Sequence, residues 1–427
     1  MKYCELSHVK QTATREGEKD LVILEEVNDD VFLLKRGEIG VQVGKNKIRS
    51  TVQPMSSWDI TVASYLSRGY KMVPGRNEPP LRTVFRKKVQ KGDYQPEKNP
   101  DAQALVQMLL ALAKKVVEEN FSSNVLLDVP SAEQFEEGER LLKDLADGYD
   151  SMDTREFNRI LCDYFMVMPR RMKYLNDNLA KGKDRHGKKL SDRDAALERA
   201  KIASVEKDRF EILKSLVSGT LGEDLDRRKT ATETNGISVR GVTKDEEAWI
   251  QKQLGDNASK YMRAWRIENQ RTEKIFADYC AKERLVEGGG IDHLFHGSRG
   301  ENFWSIITNG LTVNPLNVVI TGKAYGQGTY FAPDARKSLG YTDRLGSKWA
   351  NGGKETGLLG IYKVATGKRY NGSHGCDPSL TWSKLQRICP GAHCTWAESR
   401  YSGFIMDEVI VYQDCQSTIE YLVEVSA

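Results

Sequence analysis

Residues 292–311 read DHLFHGSRGENFWSIITNGL. The apolar pair Leu294–Phe295 gives way to His296, Gly297 and Ser298. Phe303, Trp304, Ile306, Ile307 and Leu311 then recur at helical spacing. This is the pattern of a strand that delivers small polar groups at its end, just before an amphipathic helix. Gly297 lacks a Cβ, so a ligand can lie directly on its backbone, and a planar amide can be held there by one N–H and one C=O. The helix that follows is packing that fixes those groups.

Towards the C-terminus, residues 321–341 read TGKAYGQGTYFAPDARKSLGY. Gly322, Gly326 and Gly328 make the loop adaptable, and a GTYFA strand carrying Tyr330 follows. DARKS opens a helix that sets Ser338 and Tyr341 one turn apart on one face. Glu408, in FIMDEVIVY, stands at the head of an otherwise apolar strand, where a carboxylate is costly to bury without partners or a task. Singly, each has a plain structural reading: Tyr330 as a core aromatic, Glu408 as a strand-edge solubiliser. Their order along the chain is what points to a site. From about Gly236, short strands (AWRI, HLFH, GTYFA, GLLGIYKV, DEVIVY) alternate with glycine-rich turns. That predicts an α+β fold without crossover helices. His374, Cys376, Cys389, His393 and Cys394 are of zinc-binding type, but their spacing fits no standard finger, so reduced thiols and no metal are expected.

Towards the N-terminus, Asp101 to about Leu221 is helical almost throughout. Leu105, Met108, Leu109, Leu112, Val116 and Val117 form one apolar stripe, with Asp101 as N-cap. A second helix starts at Pro130-Ser131 and a third stops at Pro169. The charged run after it reads as a solvated helix or hairpin with i,i+4 pairs. From Asp20 to about Tyr70, LVILEEV and VFLLKRGEIGVQVG read as strands broken by a turn at Asn28-Asp29-Asp30. A helical stretch, SSWDITVASYLSRGYKMV, then ends near Gly69 and Pro74, and a basic, proline-containing linker follows Lys87.

The bulk properties agree with several domains. A chain of 427 residues exceeds one ordinary core. Its net charge of +4 permits nucleic-acid contact without demanding it. No apolar run approaches the roughly 18 residues of a membrane span, and MKYCELSHVK lacks the apolar core of a signal peptide. The 7 cysteines include no CxxC pair, which suits a reducing interior. A soluble, intracellular monomer is expected.

In that order, LFHGSR, TGKAYGQGTYFAPDARKSLGY, GLLGIYKVATGKRY and MDEVIVYQDCQSTIEYLVEV resemble the catalytic domain of the poly(ADP-ribose) polymerases, from Trp249 to the C-terminus. The resemblance implies a split antiparallel sheet gripping NAD⁺, which is consumed as a substrate. It places the family's His-Tyr-Glu triad on His296, Tyr330 and Glu408. It also implies that the nicotinamide amide bonds to the Gly297 backbone and the Ser338 hydroxyl, with the ring between Tyr341 and Tyr330. His296 then reaches the adenosine ribose with Ser298 close by, and Lys337 matches the family lysine beside the serine. A glutamate at position 408 implies polymer synthesis, releasing nicotinamide; a mono-ADP-ribosyltransferase and a catalytically silent scaffold are the alternatives. Two departures touch the adenine side: Thr312 stands where long-chain makers often have arginine, and Lys323 where a loop aromatic is expected.

The helical block resembles the family's autoinhibitory helical domain, through LVQMLLALAK, VPSAEQFEEGERLLKDL and FNRILCDYFMVMP. The N-terminal segment is similar to a WGR domain, although Arg36 and Glu38 replace the signature tryptophan and arginine, with Gly37 and Ile39-Gly40 kept. The resemblance implies three domains: 1–90 WGR-like, 98–222 helical and regulatory, and 236–427 the ADP-ribosyltransferase. Its implied partners are NAD⁺, protein acceptors including the chain itself, and DNA strand breaks, with a protein-contact module as the alternative for the N-terminal segment. In a eukaryote it implies a nuclear location.

Overall fold

The computed structural model describes residues 2–39, 49–77, 95–120, 130–184, 186–218, 229–313, 325–326, 328–343, 355–371, 376–377, 379–402 and 404–427. Gly40, Lys87, Thr321 to Lys323 and His374 lie outside them. The chain divides into two compact units: residues 1–92 with 114–217, and residues 93–113 with 218–427.

The first unit begins with a five-stranded antiparallel sheet. Its strands are β1 (Tyr3–Lys10), β2 (Glu18–Glu26), β3 (Val31–Glu38), β4 (Arg49–Pro54) and, after helix α1 (Trp58–Ser67), β5 (Lys71–Met72). The order is β4-β3-β2-β1-β5. The β2–β3 turn forms where expected, with Asn28 Oδ1 accepting from the amides of Asp30 and Val31. One face packs Leu6, Val22, Leu24, Phe32 and Leu34 against Trp58 and Tyr65 of α1. β1 was not foreseen. Its alternate residues are buried too, and Ser7 Oγ donates to the Met166 carbonyl at 2.9 Å, so a polar-looking strand is covered on both faces.

Four helices follow: α2 (Pro100–Asn120), α3 (Ala132–Gly148), α4 (Thr154–Val167) and α5 (Asp192–Ser218). Ser131 caps α3 in a capping box with Gln134, and Asp153 caps α4. At α2 the cap differs from expectation: Asn99 Oδ1 accepts from the Asp101 amide, leaving Pro100 at the first helical position and Asp101 in the first turn. Along α2, Leu105, Leu109 and Val117 are buried as expected, with Val106 and Ala113, while Met108, Leu112 and Val116 are half-buried. The charged run is more than a solvated face. On α5, Ala200, Ala203, Phe210 and Leu213 are buried, and Arg170 meets Glu206 in a bidentate pair with both side chains at most 4% exposed.

The second unit takes in the start of α2, where Trp265 Nε1 donates to the Asp101 carbonyl at 3.1 Å. Its further elements are α6 (Ala231–Thr234), β6 (Ile237–Gly241), α7 (Lys244–Leu254), β7 (Tyr261–Asn269), α8 (Gln270–Glu283), β8 (Val286–Glu287), β9 (Gly290–Gly297) and α9 (Phe303–Asn309). Then come β10 (Thr329–Phe331), α10 (Ala335–Leu339), β11 (Thr356–Ala365), β12 (Arg369–Asn371), α11 (Trp382–Ile388), β13 (Cys394–Ala397), α12 (Ser399–Ser402), β14 (Glu408–Val411) and β15 (Ser417–Ser426). The unit is α+β. A six-stranded sheet runs β6-β7-β15-β11-β9-β8 and a four-stranded sheet runs β10-β14-β13-β12. Pairing is antiparallel except at β8–β9 and β12–β13. The sheets meet where Phe295 and Ala332 exchange two backbone hydrogen bonds of 2.9 Å.

Candidate functional site

β9 ends at that seam, so His296 and Gly297 stand where the two sheets join. The His296 ring packs near Phe331 and Tyr362, and its Nδ1 lies 2.9 Å from the Tyr330 carbonyl. A carbonyl can only accept, so Nδ1 carries the proton and Nε2 presents a lone pair. Burial pushes the imidazole below its usual value of 6.5, against the opposing hydrogen bond to Tyr330. The ring is therefore neutral near pH 7.

Gly297 needs to be glycine for a reason beyond ligand access. A Cβ there would overlap the Ser338 carbonyl oxygen, come within 2.9 Å of its carbon and lie 3.4 Å from Tyr341 Cβ. That carbonyl is held in place because it accepts from the Tyr341 amide at 3.0 Å. Tyr341 lies just past α10, which ends at Leu339, so the two residues are joined by a turn and do not share a helix face.

α10 reaches both sheets with adjacent side chains. Ser338 Oγ donates to the Phe295 carbonyl at 3.0 Å, and Lys337 Nζ lies 2.6 Å from Glu408 Oε1. Glu408, the first residue of β14, is 6% exposed. Burial raises its carboxyl above the usual range, with Lys337 pulling the other way. Tyr330 pairs with Ile410 across β10–β14, and Ile410 shares a face with Glu408 two residues earlier. Tyr330 and Glu408 thus project from the same side of the four-stranded sheet. Ser298 accepts from Asn302 Nδ2 at 3.0 Å, and the Gly300 amide donates to Asp343 at 2.9 Å, which ties the HGSR turn down.

The eight residues singled out therefore gather around one seam. The Lys337–Glu408 pair and the part played by Asp343 were not foreseen, because each joins segments far apart in sequence. Thr312, at the position of the departure, accepts through its carbonyl from Thr329 Oγ1 at 3.4 Å. In the first unit, Glu38 lies 3.0 Å from Lys19 Nζ, whose side chain is fully buried and also donates to the Met172 and Lys173 carbonyls. The Arg36 guanidinium lies 5.8 Å from the Tyr65 ring centre.

Of the zinc-type residues described, His393 Nδ1 accepts from the Lys368 amide and Cys394 Sγ donates to the Thr366 carbonyl. Among the described residues no three His, Cys, Asp or Glu gather as a metal site, and no helix is long and apolar enough to cross a membrane.

Residues 248–427 match the model of the poly(ADP-ribose) polymerase catalytic domain. The chain is 30% identical over 176 residues to the poly(ADP-ribose) polymerase-like protein 100L of invertebrate iridescent virus 6, covering 39% of this chain and 87% of the viral protein. It is 40% identical over 103 residues to human poly(ADP-ribose) polymerase 2, covering 24% of this chain and 15% of that protein. Over 192 residues it is 25% identical to the chicken protein mono-ADP-ribosyltransferase PARP3, covering 38% of this chain and 33% of that one. The chain thus spans most of the viral relative but a third or less of the two vertebrate ones.

Proposed function

Since the chain belongs to the poly(ADP-ribose) polymerase family and is an NAD⁺ ADP-ribosyltransferase, we propose that it builds poly(ADP-ribose) on protein acceptors, itself included, with Glu408 as the elongating carboxylate. The observation that carries this is the buried Glu408, ion-paired to Lys337 and on the same sheet face as Tyr330.

In this reading the nicotinamide amide sits on the Gly297 backbone, with its ring between Tyr341 and Tyr330. Ser338 can turn its hydroxyl to the amide cheaply. The Phe295 carbonyl it now serves also accepts from the Ala332 amide, so no buried acceptor is left bare. The His296 Nε2 lone pair suits a hydroxyl of the adenosine ribose. The bond that breaks joins C1′ of the other ribose to the nicotinamide nitrogen, and its electron pair leaves with nicotinamide. Positive charge develops on the sugar as in glycoside cleavage. Glu408 accepts from the 2′-hydroxyl, stabilises that charge, polarises the incoming hydroxyl and takes up its proton as the oxygen bonds to C1′. Lys337 orients the carboxylate and favours its ionised form.

Glu408→Gln tests this, since it keeps the shape and removes the charge. NAD⁺ binding should persist while labelled product collapses from a ladder to at most a single shifted band. A ladder made at the parent rate would sink the role. A single band from the parent would support mono-ADP-ribosyl transfer, the reading to which the likeness to the chicken enzyme points.

The regulatory half of the proposal makes the helical segment an autoinhibitory lid over NAD⁺ entry and the N-terminal sheet a WGR-like sensor of broken DNA. Because Glu38 pairs with Lys19, less negative charge faces an approaching phosphate than the bare sequence suggests. Nicotinamide release by the full chain, with and without nicked duplex at two salt concentrations, tests it. DNA activation should fall steeply as salt rises. A DNA-indifferent chain would assign the N-terminal segment to protein contacts.

A further inference from the structure

Behind the site a series of hydrogen bonds runs from two hydroxyls outside the triad to Tyr330. Thr395 Oγ1 and Tyr412 Oη are 2.7 Å apart, and Tyr412 Oη lies 2.8 Å from the Tyr325 carbonyl. The Tyr325 amide donates to Tyr330 Oη at 3.1 Å, and Tyr330 Oη donates to the Gly326 carbonyl, also at 3.1 Å. Carbonyls can only accept, which fixes every direction: Thr395 donates to Tyr412, Tyr412 to Tyr325, Tyr325 to Tyr330, and Tyr330 to Gly326. The Tyr330 carbonyl, in turn, receives the His296 Nδ1 proton.

The anchor end is rigid. Thr395 is fully buried, Tyr412 is 5% exposed, and the Tyr412 amide donates to Gln416 Oε1 at 3.0 Å. Burial holds the protons on both tyrosines, so the chain keeps its polarity across the working pH range. At the other end Gly326 has φ +77°, and a Cβ there would come within 2.6 Å of Leu380 Cα. Residues 325–326 are thus pressed onto the backbone at 380 and gripped by two tyrosine hydroxyls.

We propose that Tyr412, backed by Thr395, is a positioning residue for NAD⁺: by holding the Tyr325 carbonyl it seats the 325–326 segment on Tyr330 and so sets the Tyr330 ring and its carbonyl bond to His296. The proposal rests on the NAD⁺ reading of the site. Tyr412 touches no substrate and acts only through Tyr330. The Tyr325 carbonyl and amide belong to neighbouring peptide groups joined at its Cα, so losing the Tyr412 anchor is felt at Tyr330 as a shift of the backbone at residues 325–326.

Tyr412→Phe in the full chain keeps the ring and deletes the hydroxyl. The expected result is a KM for NAD⁺ raised about tenfold, with kcat within about twofold, since a lost buried hydrogen bond is of that order. Thr395→Val, which removes only the backing donor, should raise KM about two- to threefold. In a cycle with Tyr330→Phe, the second substitution should add little, because the first has already released the segment. One readout needs no turnover: hydrogen exchange at the Tyr325 amide should be faster in Tyr412→Phe than in the parent. Unchanged exchange at that amide would overturn the proposal even if the chain proved inactive on NAD⁺. A fall in kcat and a rise in KM that simply multiply with those of Tyr330→Phe would overturn it too. A parent that releases no nicotinamide while Tyr412→Phe speeds exchange would count against the activity and leave the relay standing.

Discussion

Replacing Gly297 with alanine adds one carbon where the Ser338 carbonyl is already in contact. Nothing in the backbone forbids the change, since Gly297 is not among the positive-φ glycines. The clash alone decides the outcome. The new Cβ would overlap the carbonyl oxygen and press on its carbon at 2.9 Å. Relieving it needs a retreat of about 1 Å by Ser338, and Tyr341 must follow because its amide donates to that carbonyl. A shift of that size in positioning groups is worth on the order of 100-fold in rate, while overpacking of this kind costs about 1–3 kcal/mol in stability. Nicotinamide release at a range of NAD⁺ concentrations, alongside a thermal melt, measures both. Gly340→Ala is the matched control, because among the described residues a Cβ there meets only the Lys337 carbonyl at 3.4 Å, from a helical φ of −63°. It should stay within about twofold of the parent. A Gly297→Ala protein with kcat/KM within threefold of the parent would refute the reasoning.

Three further outcomes follow from charge and satisfaction. Lys337→Met leaves burial of Glu408 unopposed, so its pKa rises further; activity, which needs the carboxylate, should then fail at higher pH than in the parent, and an unmoved acid limb of the rate profile would contradict this. For Glu420, burial works to raise the carboxyl, but the His293 hydrogen bond, Arg266 and Lys363 outweigh it and hold the pKa down from 4.5 to about 2. That is worth roughly 3 kcal/mol, present above pH 4.5 and lost as pH falls towards 2. Glu420→Gln should flatten that acid loss in melts run from pH 7 downward, and an unchanged slope would count against it. The Tyr362 hydroxyl is buried with no hydrogen-bond partner among the described residues, so Tyr362→Phe should be neutral or stabilising by about 1 kcal/mol; a drop in melting temperature would show that the hydroxyl has one.

What could be read from sequence was local. The Asn28 turn, the Ser131 cap, the stop at Pro169 and the His-Gly-Ser strand end each depend on residues within one turn of each other. β15 shows the opposite. STIEYLVEVS lies at the centre of the six-stranded sheet with Glu420 and Glu424 buried, and its carboxylates make sense beside the cations of neighbouring strands, Arg263 and Arg266 of β7 and Lys363 of β11, with His293 of β9. The same holds for α2. Its start belongs with the second unit because Trp265 and Gly241 meet Asp101, and Glu97 accepts from Thr232. A chain trimmed near Asp226, which lies outside the described residues, would strip those contacts along with the helical segment. Asn99 displaced Asp101 as the cap because Pro100 fits the first helical position, a distinction of two residues that apolar spacing does not resolve.

The fixed tautomer of His296 also filters ligands by polarity. Its other ring nitrogen, Nε2, can receive a hydrogen but has none to give, because the proton is committed to the Tyr330 carbonyl. An inhibitor that places a hydroxyl, amine or amide N–H at that nitrogen gains a hydrogen bond. One of the same shape with a carbonyl or ether oxygen there sets two lone pairs against each other. Matched compounds differing only in that atom should therefore separate in affinity, and lowering the pH should narrow the gap only once the imidazole finally takes up a second proton.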